Sequence, residues 1–192
     1  MAGYLEVTIG PMFSGKTTNL IDKANRYVAV RKQRGENVSV VIINHTSDER
    51  ISKSGDALTP HSNARITHTD NISFIKTKYL QDVSLDIIEK ADYIAIDEGQ
   101  FFMDLYAGVA TWLRMGKHVH CSGLIADSNR FPFGFITTIM AIADDIEHLK
   151  AFCSICGDKV LNAPFTKCSK EKSGQVLVGG SEEYYPVCGK HF

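Results

Sequence analysis

Residues 4–17 read Tyr4-Leu5-Glu6-Val7-Thr8-Ile9-Gly10-Pro11-Met12-Phe13-Ser14-Gly15-Lys16-Thr17. Tyr4 to Ile9 has the texture of a strand. The turn that follows fits the pattern G-x-x-x-x-G-K-[ST]. Gly10 and Gly15 allow backbone N–H groups to curl around phosphate oxygens, with Pro11, Met12, Phe13 and Ser14 forming the cradle between them. The next helix offers its positive N-terminus to the same anion. Lys16 reaches the terminal phosphates, and the Thr17 hydroxyl can ligate Mg²⁺. A strand before the loop and a helix after it is the context that separates a nucleotide site from a chance match in a turn.

Working outward, Lys16 to Arg34 reads as the helix, with Leu20, Ala24, Tyr27 and Arg31 at helical spacing and Gly35 as its stop. Val38 to Ile43 is a β-branched run, too short for most helices, and reads as a buried parallel strand. Residues 44–64 are polar and turn-rich, a loop long enough to suggest function or mobility. Tyr93 to Asp97 is a third strand and Lys117 to Gly123 a fourth. Leu105, Val109, Trp112 and Leu113 lie on one face of a helix between them. Alternating strands and helices predict an α/β fold, a parallel sheet covered by helices.

The third strand ends in Asp97-Glu98. A carboxylate there can hold Mg²⁺ directly or through water. Successive strand residues point to opposite sides, so two adjacent acids suggest two tasks, one toward the metal and one toward the phosphate acceptor. A pair of solvated acids at the start of a loop is the plainer alternative. His118 and His120 alternate along the fourth strand and read as ordinary strand residues.

After Lys150 the texture changes to cysteines, glycines and short strand-like pieces, which predicts a boundary between 1–150 and 151–192. Four of the five cysteines fall in that second stretch. Cys153-x-x-Cys156 and Cys188-x-x-His191 have the spacing of two knuckles that clamp a tetrahedral Zn²⁺. Cys168 is an alternative fourth ligand. His191 is preferred because its spacing mirrors the first pair. An odd cysteine count suits reduced thiols and a metal better than a disulfide framework.

The chain has 192 residues, with 21 Lys+Arg against 22 Asp+Glu and a net charge of −1. A near-neutral balance gives no support for a broad basic face, so nucleic acid is not an expected partner. Hydrophobic residues at 44% argue for a folded core. No apolar run approaches the roughly 20 residues that span a bilayer. Met1-Ala2-Gly3-Tyr4 lacks the basic start of a signal peptide. The expectation is a cytoplasmic protein without a membrane partner.

Several motifs together resemble one family, the type II or zinc-ribbon thymidine kinases. They are GPMFSGKT (10–17), Asp48-Glu49-Arg50, DEGQFF (97–102), Gly123-Leu124, Arg130 with Pro132-Phe133-Gly134, the CxxC…CxxH pairs, and Val178-Gly179-Gly180 followed by Tyr184. The resemblance implies a P-loop (RecA-like) parallel sheet flanked by helices, with a small C-terminal zinc-ribbon and lasso domain. It implies transfer of the ATP γ-phosphate to the 5′-hydroxyl of thymidine. Glu98 would accept the hydroxyl proton, Lys16 and Arg50 would attend the transferred phosphate, and Asp48 would stand nearby. Met12, Phe101, Leu124, Phe133, Thr166 and Tyr184 would line the nucleoside pocket. Residues 175–184, with Val178 and Gly179, would form the lasso over the base. The resemblance also implies ATP, Mg²⁺ and a structural Zn²⁺, a homotetramer, and feedback inhibition by dTTP. Two positions depart from the family's usual pattern. Ile125 stands where an acid is usual, and Ser128 where an aromatic is usual, which leaves that wall absent or supplied by Phe131. A nucleic-acid ATPase carrying a zinc ribbon, and a kinase for another deoxynucleoside, are the competing readings.

Overall fold

Val40-Val41-Ile42-Ile43 carries branched apolar side chains toward both faces, as a strand covered on both sides requires. In the computed structural model, which describes residues 3–48, 70–156, 161–169 and 183–192, this run opens β2 (Val40–His45), which is buried throughout. It joins β1 (Tyr4–Ile9), β3 (Ile72–Thr77), β4 (Tyr93–Ile96), β5 (His118–Gly123) and β6 (Asp145–His148) in one sheet of order β3-β2-β4-β5-β1-β6. Every pairing in that sheet is parallel. The expected strands form its interior. β3 and β6 are the two edges, and neither was apparent from apolar patterning.

Strand alternation sorts the core into two layers. Val40, Ile42, Tyr93 and Ala95 pack with Leu20, Ile21, Ala24 and Val28 of α1 (Lys16–Gln33). Leu5, Val7, Ile9, Val41, Ile43, Ile94, Ile96, Val119 and Cys121 face the other way. That second layer is covered by Ile88 of α2 (Leu85–Lys90), by Leu105, Val109 and Trp112 of α3 (Leu105–Arg114), and by Ile136 and Ile139 of α4 (Ile136–Met140). At the end of α1, Gly35 takes φ 74° and its N–H bonds the carbonyl of Lys32, which stops the helix where the sequence predicts.

Beyond the sheet, β7 (Ala151–Phe152) pairs antiparallel with β8 (Leu161–Ala163), and β9 (Phe165–Cys168) with β10 (Tyr184–Val187). Ala151, Cys153, Ala163, Val187 and Cys188 form a small cluster of their own. Because all six strands of the main sheet are parallel, their carboxyl ends share one edge. Ligands of open α/β sheets bind at that edge.

Candidate active site

Four strands deliver chemistry to the carboxyl edge. β1 runs into the loop Gly10–Thr17, β2 into Asp48, β4 into Asp97-Glu98, and β5 into Leu124.

The loop turns on two left-handed residues, Phe13 at φ 64° and Gly15 at φ 86°. Pro11 O sits at its centre. It accepts from Lys16 Nζ at 2.8 Å and from Ser14 Oγ at 2.9 Å. Gly10 has no room for a side chain, since a Cβ there would stand 2.5 Å from Ser14 Oγ and 2.7 Å from the carbonyl of Leu149. No side chain among the described residues caps the N-terminus of α1, and its first turn carries no acid. Both features suit a helix start that receives an anion.

Thr17 Oγ1 donates to Asp97 Oδ2 at 3.0 Å, which joins the phosphate loop to the acidic strand end. Ser122 Oγ of β5 donates to Asp97 Oδ1 at 2.6 Å and holds the carboxylate from the other side. Alternation predicted opposite directions for Asp97 and Glu98, and here the structure differs. The chain leaves the strand at Ile96, and Glu98 adopts φ 53°. That left-handed step brings ligand oxygens of Asp48, Asp97 and Glu98 within 4.8 Å of one another, and all three residues are buried. Asn44 Nδ2 fixes Asp48 Oδ2 at 3.0 Å. Three convergent carboxylates beside a threonine hydroxyl are a donor set of the hard-oxygen kind that Mg²⁺ takes.

The expected pocket residues gather in pairs. Phe101 meets Phe133 edge-on at 5.6 Å, and His45 stacks on Phe101 at 5.6 Å. Burial holds the His45 imidazole below its ordinary range, so it is neutral there. Met12 N–H donates to Thr166 Oγ1 at 2.9 Å, a direct bond between the phosphate loop and β9. Tyr184 lies on β10 two residues from Pro186, which stands opposite Thr166, so Tyr184 and Thr166 share a face of the hairpin. Leu124 is reached through Gln100, whose Oε1 accepts its N–H at 2.9 Å. Phe131 is 65% exposed, while Ile125 packs against the main core. Buried Asp127 organises that segment by accepting from the N–H groups of Asn129 and Phe131. Arg130 then lays its guanidinium over Phe165 at 3.7 Å and Phe192 at 4.2 Å, which ties the segment to the C-terminal hairpin. Arg50, Val178, Gly179 and most of 175–184 lie outside the described residues.

Sequence reasoning missed Ser122, Asn44 and Gln100 as supports of the three acids. Gln100 stood inside the quoted DEGQFF string. The other two carried no local signal.

Cys153, Cys156, Cys188 and His191 converge. Cys156 Sγ lies 3.5 Å from Cys188 Sγ, and His191 Nδ1 lies 3.2–3.5 Å from the three sulfurs. Tetrahedral Zn²⁺ with ordinary Zn–S and Zn–N bonds sets ligand separations of about 3.5–3.8 Å, so the four atoms fit it. Cys168 is not in the cluster. It sits on β9 opposite Tyr184. Burial acts to raise the Cys153 thiol, but N–H groups of Cys156, Cys188 and Ile155 together with His191 bring it down to about 5, the thiolate form a metal requires.

Under α1 lies a polar stripe. Lys23 bridges Glu6 and Glu147, and Asn19 Nδ2 donates to Glu147 at 3.2 Å. Thr8 Oγ1 donates to Asn19 Oδ1 at 3.4 Å and meets His120 Nε2 at 2.8 Å, while Tyr93 OH meets His120 Nδ1 at 2.9 Å. With the Thr8 proton directed to Asn19, His120 carries its own proton on Nε2 and accepts from Tyr93 on Nδ1.

A family model described as thymidine kinase matches residues 3–192. A thymidine kinase of Choristoneura biennis entomopoxvirus is 36% identical over 186 residues, which covers 96% of this chain and 93% of that protein. Thymidine kinase a of Arabidopsis thaliana is 33% identical over 198 residues, covering 100% of this chain and 75% of that one. Among solved structures, flagellar accessory protein FlaH from Methanocaldococcus jannaschii superposes with a TM-score of 0.57 at 17% identity, over 82% of this chain and 75% of its own. That likeness concerns the fold alone. The viral and plant relatives span nearly all of the chain in which these motifs lie, and the chain belongs to the thymidine kinase family.

Proposed function

We propose that the chain transfers the γ-phosphate of ATP to the 5′-hydroxyl of thymidine. The observation that supports this reading most is the bond from Thr17 to Asp97, which joins the loop Gly10–Thr17 to the Asp48–Asp97–Glu98 cluster. Lys16 and the loop N–H groups hold the β- and γ-phosphates, with Arg50 beside the group in transfer. Asp97, aimed by Ser122, and Thr17 would hold Mg²⁺, which when bound offsets charge on the phosphates. Glu98 accepts the hydroxyl proton. Met12, Phe101, Leu124, Phe133, Thr166 and Tyr184 line the nucleoside pocket, and residues 175–184 with Val178 and Gly179 cover the base.

In the same reading the chain divides near residue 150. The phosphate loop and acids lie in 1–150, and Cys153, Cys156, Cys188 and His191 hold a structural Zn²⁺ in 151–192. A homotetramer, feedback by dTTP and cytoplasmic residence belong to it as well. Sedimentation, product inhibition and cell fractionation test these three. Among the described residues no helix is long and apolar enough to cross a membrane.

The deciding experiment is ATP turnover with thymidine, with deoxyuridine and deoxycytidine, and with single-stranded DNA. Turnover strongest with thymidine supports the proposal. Preference for another nucleoside moves the substrate, and stimulation by DNA with no response to nucleosides overturns the kinase reading.

A further inference from the structure

Gln100 is 2% exposed and lies two residues past the left-handed step at Glu98. Its amide makes two bonds of opposite sense. Nε2 donates to Glu98 Oε2 at 2.6 Å, and Oε1 accepts the N–H of Leu124 at 2.9 Å. The second bond fixes the direction of the first. A peptide N–H can only donate, so the atom facing Leu124 must be the oxygen, and the NH₂ is left pointing at the carboxylate. The residue is closely packed on both its side chain and its backbone. A Cβ on Gly123 would stand 2.7 Å from Gln100 Oε1, and a Cβ on Gly134 would collide with the main-chain carbonyl of Gln100. Gly123 thus clears space for the amide of the buried glutamine, and Gly134 for its backbone.

We infer that Gln100 is a positioning residue that aims the Glu98 carboxylate from the backbone of the nucleoside-pocket wall. The inference rests on Glu98 as the proton acceptor and Leu124 as part of that wall. Held at Oε2, the carboxylate is restrained about its terminal bond. The donor that holds it is set by the N–H of Leu124, so the pocket wall and the proton acceptor move as one piece. A displacement of about 1 Å in a reacting group costs on the order of 10²-fold in rate, which is the scale of effect at stake.

Gln100→Glu tests it with almost no change of shape. One carboxylate oxygen still accepts from Leu124, so the bond to the pocket wall is preserved. The other now faces Glu98 Oε2 acceptor to acceptor. The expected result is a fall in kcat of about 10²-fold with KM for ATP unchanged. In the double variant Glu98→Gln/Gln100→Glu, the amide and the carboxylate exchange places and the donor again meets an acceptor. That variant should regain the thermal stability lost in Gln100→Glu, and its kcat should equal that of Glu98→Gln alone. Wild-type kcat in Gln100→Glu, or single-variant losses that multiply in the double, overturns the inference. The thermal cycle needs no substrate. If it shows recovery while the wild-type protein ignores thymidine, the Glu98–Gln100 pair stands and the proposed substrate fails. If it shows no recovery, the pair itself is refuted.

Discussion

His120 should make this protein sensitive to acid well before its carboxylates titrate. The imidazole is fully buried on β5. Desolvation, assisted by the positive charges of Lys23 and His118, lowers its pKa to about 3 from an ordinary 6.5. The folded chain thus binds that proton less readily than the unfolded chain. Stability from the neutral imidazole is complete above pH 6.5 and is lost progressively as pH falls toward 3. The slope is about 1.4 kcal/mol per pH unit. Between pH 7.5 and pH 5 the loss is about 2 kcal/mol, or about 4–8 °C in Tm for a chain of this size. The assay is a set of thermal melts from pH 7.5 to 5 on the wild type and on His120→Gln, which can still bond Thr8 and Tyr93 but cannot titrate. His118, His45 and His148 are also lowered by burial, yet they persist in both proteins and cancel in the comparison. The absolute stability of the variant is immaterial, since only the difference in pH slope is read. Parallel curves for the two proteins would refute the argument.

Lys16→Ala should abolish nearly all turnover while the melt stays native-like; a soluble variant with normal turnover removes the loop from the phosphate-binding role. Glu98→Gln should lower kcat more than nucleoside KM, toward the low end of the ~10²–10⁴-fold range of general bases, because phosphoryl transfer proceeds through a loose transition state. An unchanged kcat would pass the proton to another group. Thr166→Val should leave the Met12 N–H without its acceptor, at about 1–3 kcal/mol, and Thr166→Ser should restore it; equal melting of Val and Ser variants would show that the bond contributes nothing. Metal analysis should find one zinc per chain, and Cys188→Ser should raise KM for thymidine more than for ATP in a variant that still melts cooperatively. A folded, zinc-free variant with wild-type KM values would reduce the cluster to a structural tail.

The interior of the sheet was legible because its strands bury both faces, and runs such as Val40–Ile43 admit few other readings. Its edges were not. β3 reads Ile-Ser-Phe-Ile-Lys-Thr and is only partly covered, while β6 reads Asp-Ile-Glu-His and is held chiefly by its backbone ladder to β1. Neither has an apolar pattern to detect. The phosphate loop and the cysteine pairs were legible for a different reason, since each is a local spacing. What the sequence concealed is long-range. Thr166 meets Met12 across 154 positions, Ser122 meets Asp97 across 25, and no periodicity marks either partner. The parallel placement of Asp97 and Glu98 was hidden by a single backbone dihedral, which residue identity alone does not disclose.

The strand order also bears on how the chain comes to be made. β1 leaves a ribosome well before its two neighbours, β5 and β6, residues 118–123 and 145–148. Leu5, Val7 and Ile9 are almost wholly buried in the finished sheet, so they stay without strand partners until residues 118–148 have been synthesised. β2, β3 and β4 can meet one another much earlier. The phosphate loop, strung between β1 and α1, therefore waits for β5 and β6 although it precedes both in the chain. Pairings of this separation are slow to form, and the exposed strand is open to aggregation meanwhile. Truncations that remove β6 should accordingly behave as insoluble folding failures rather than as weakened enzymes.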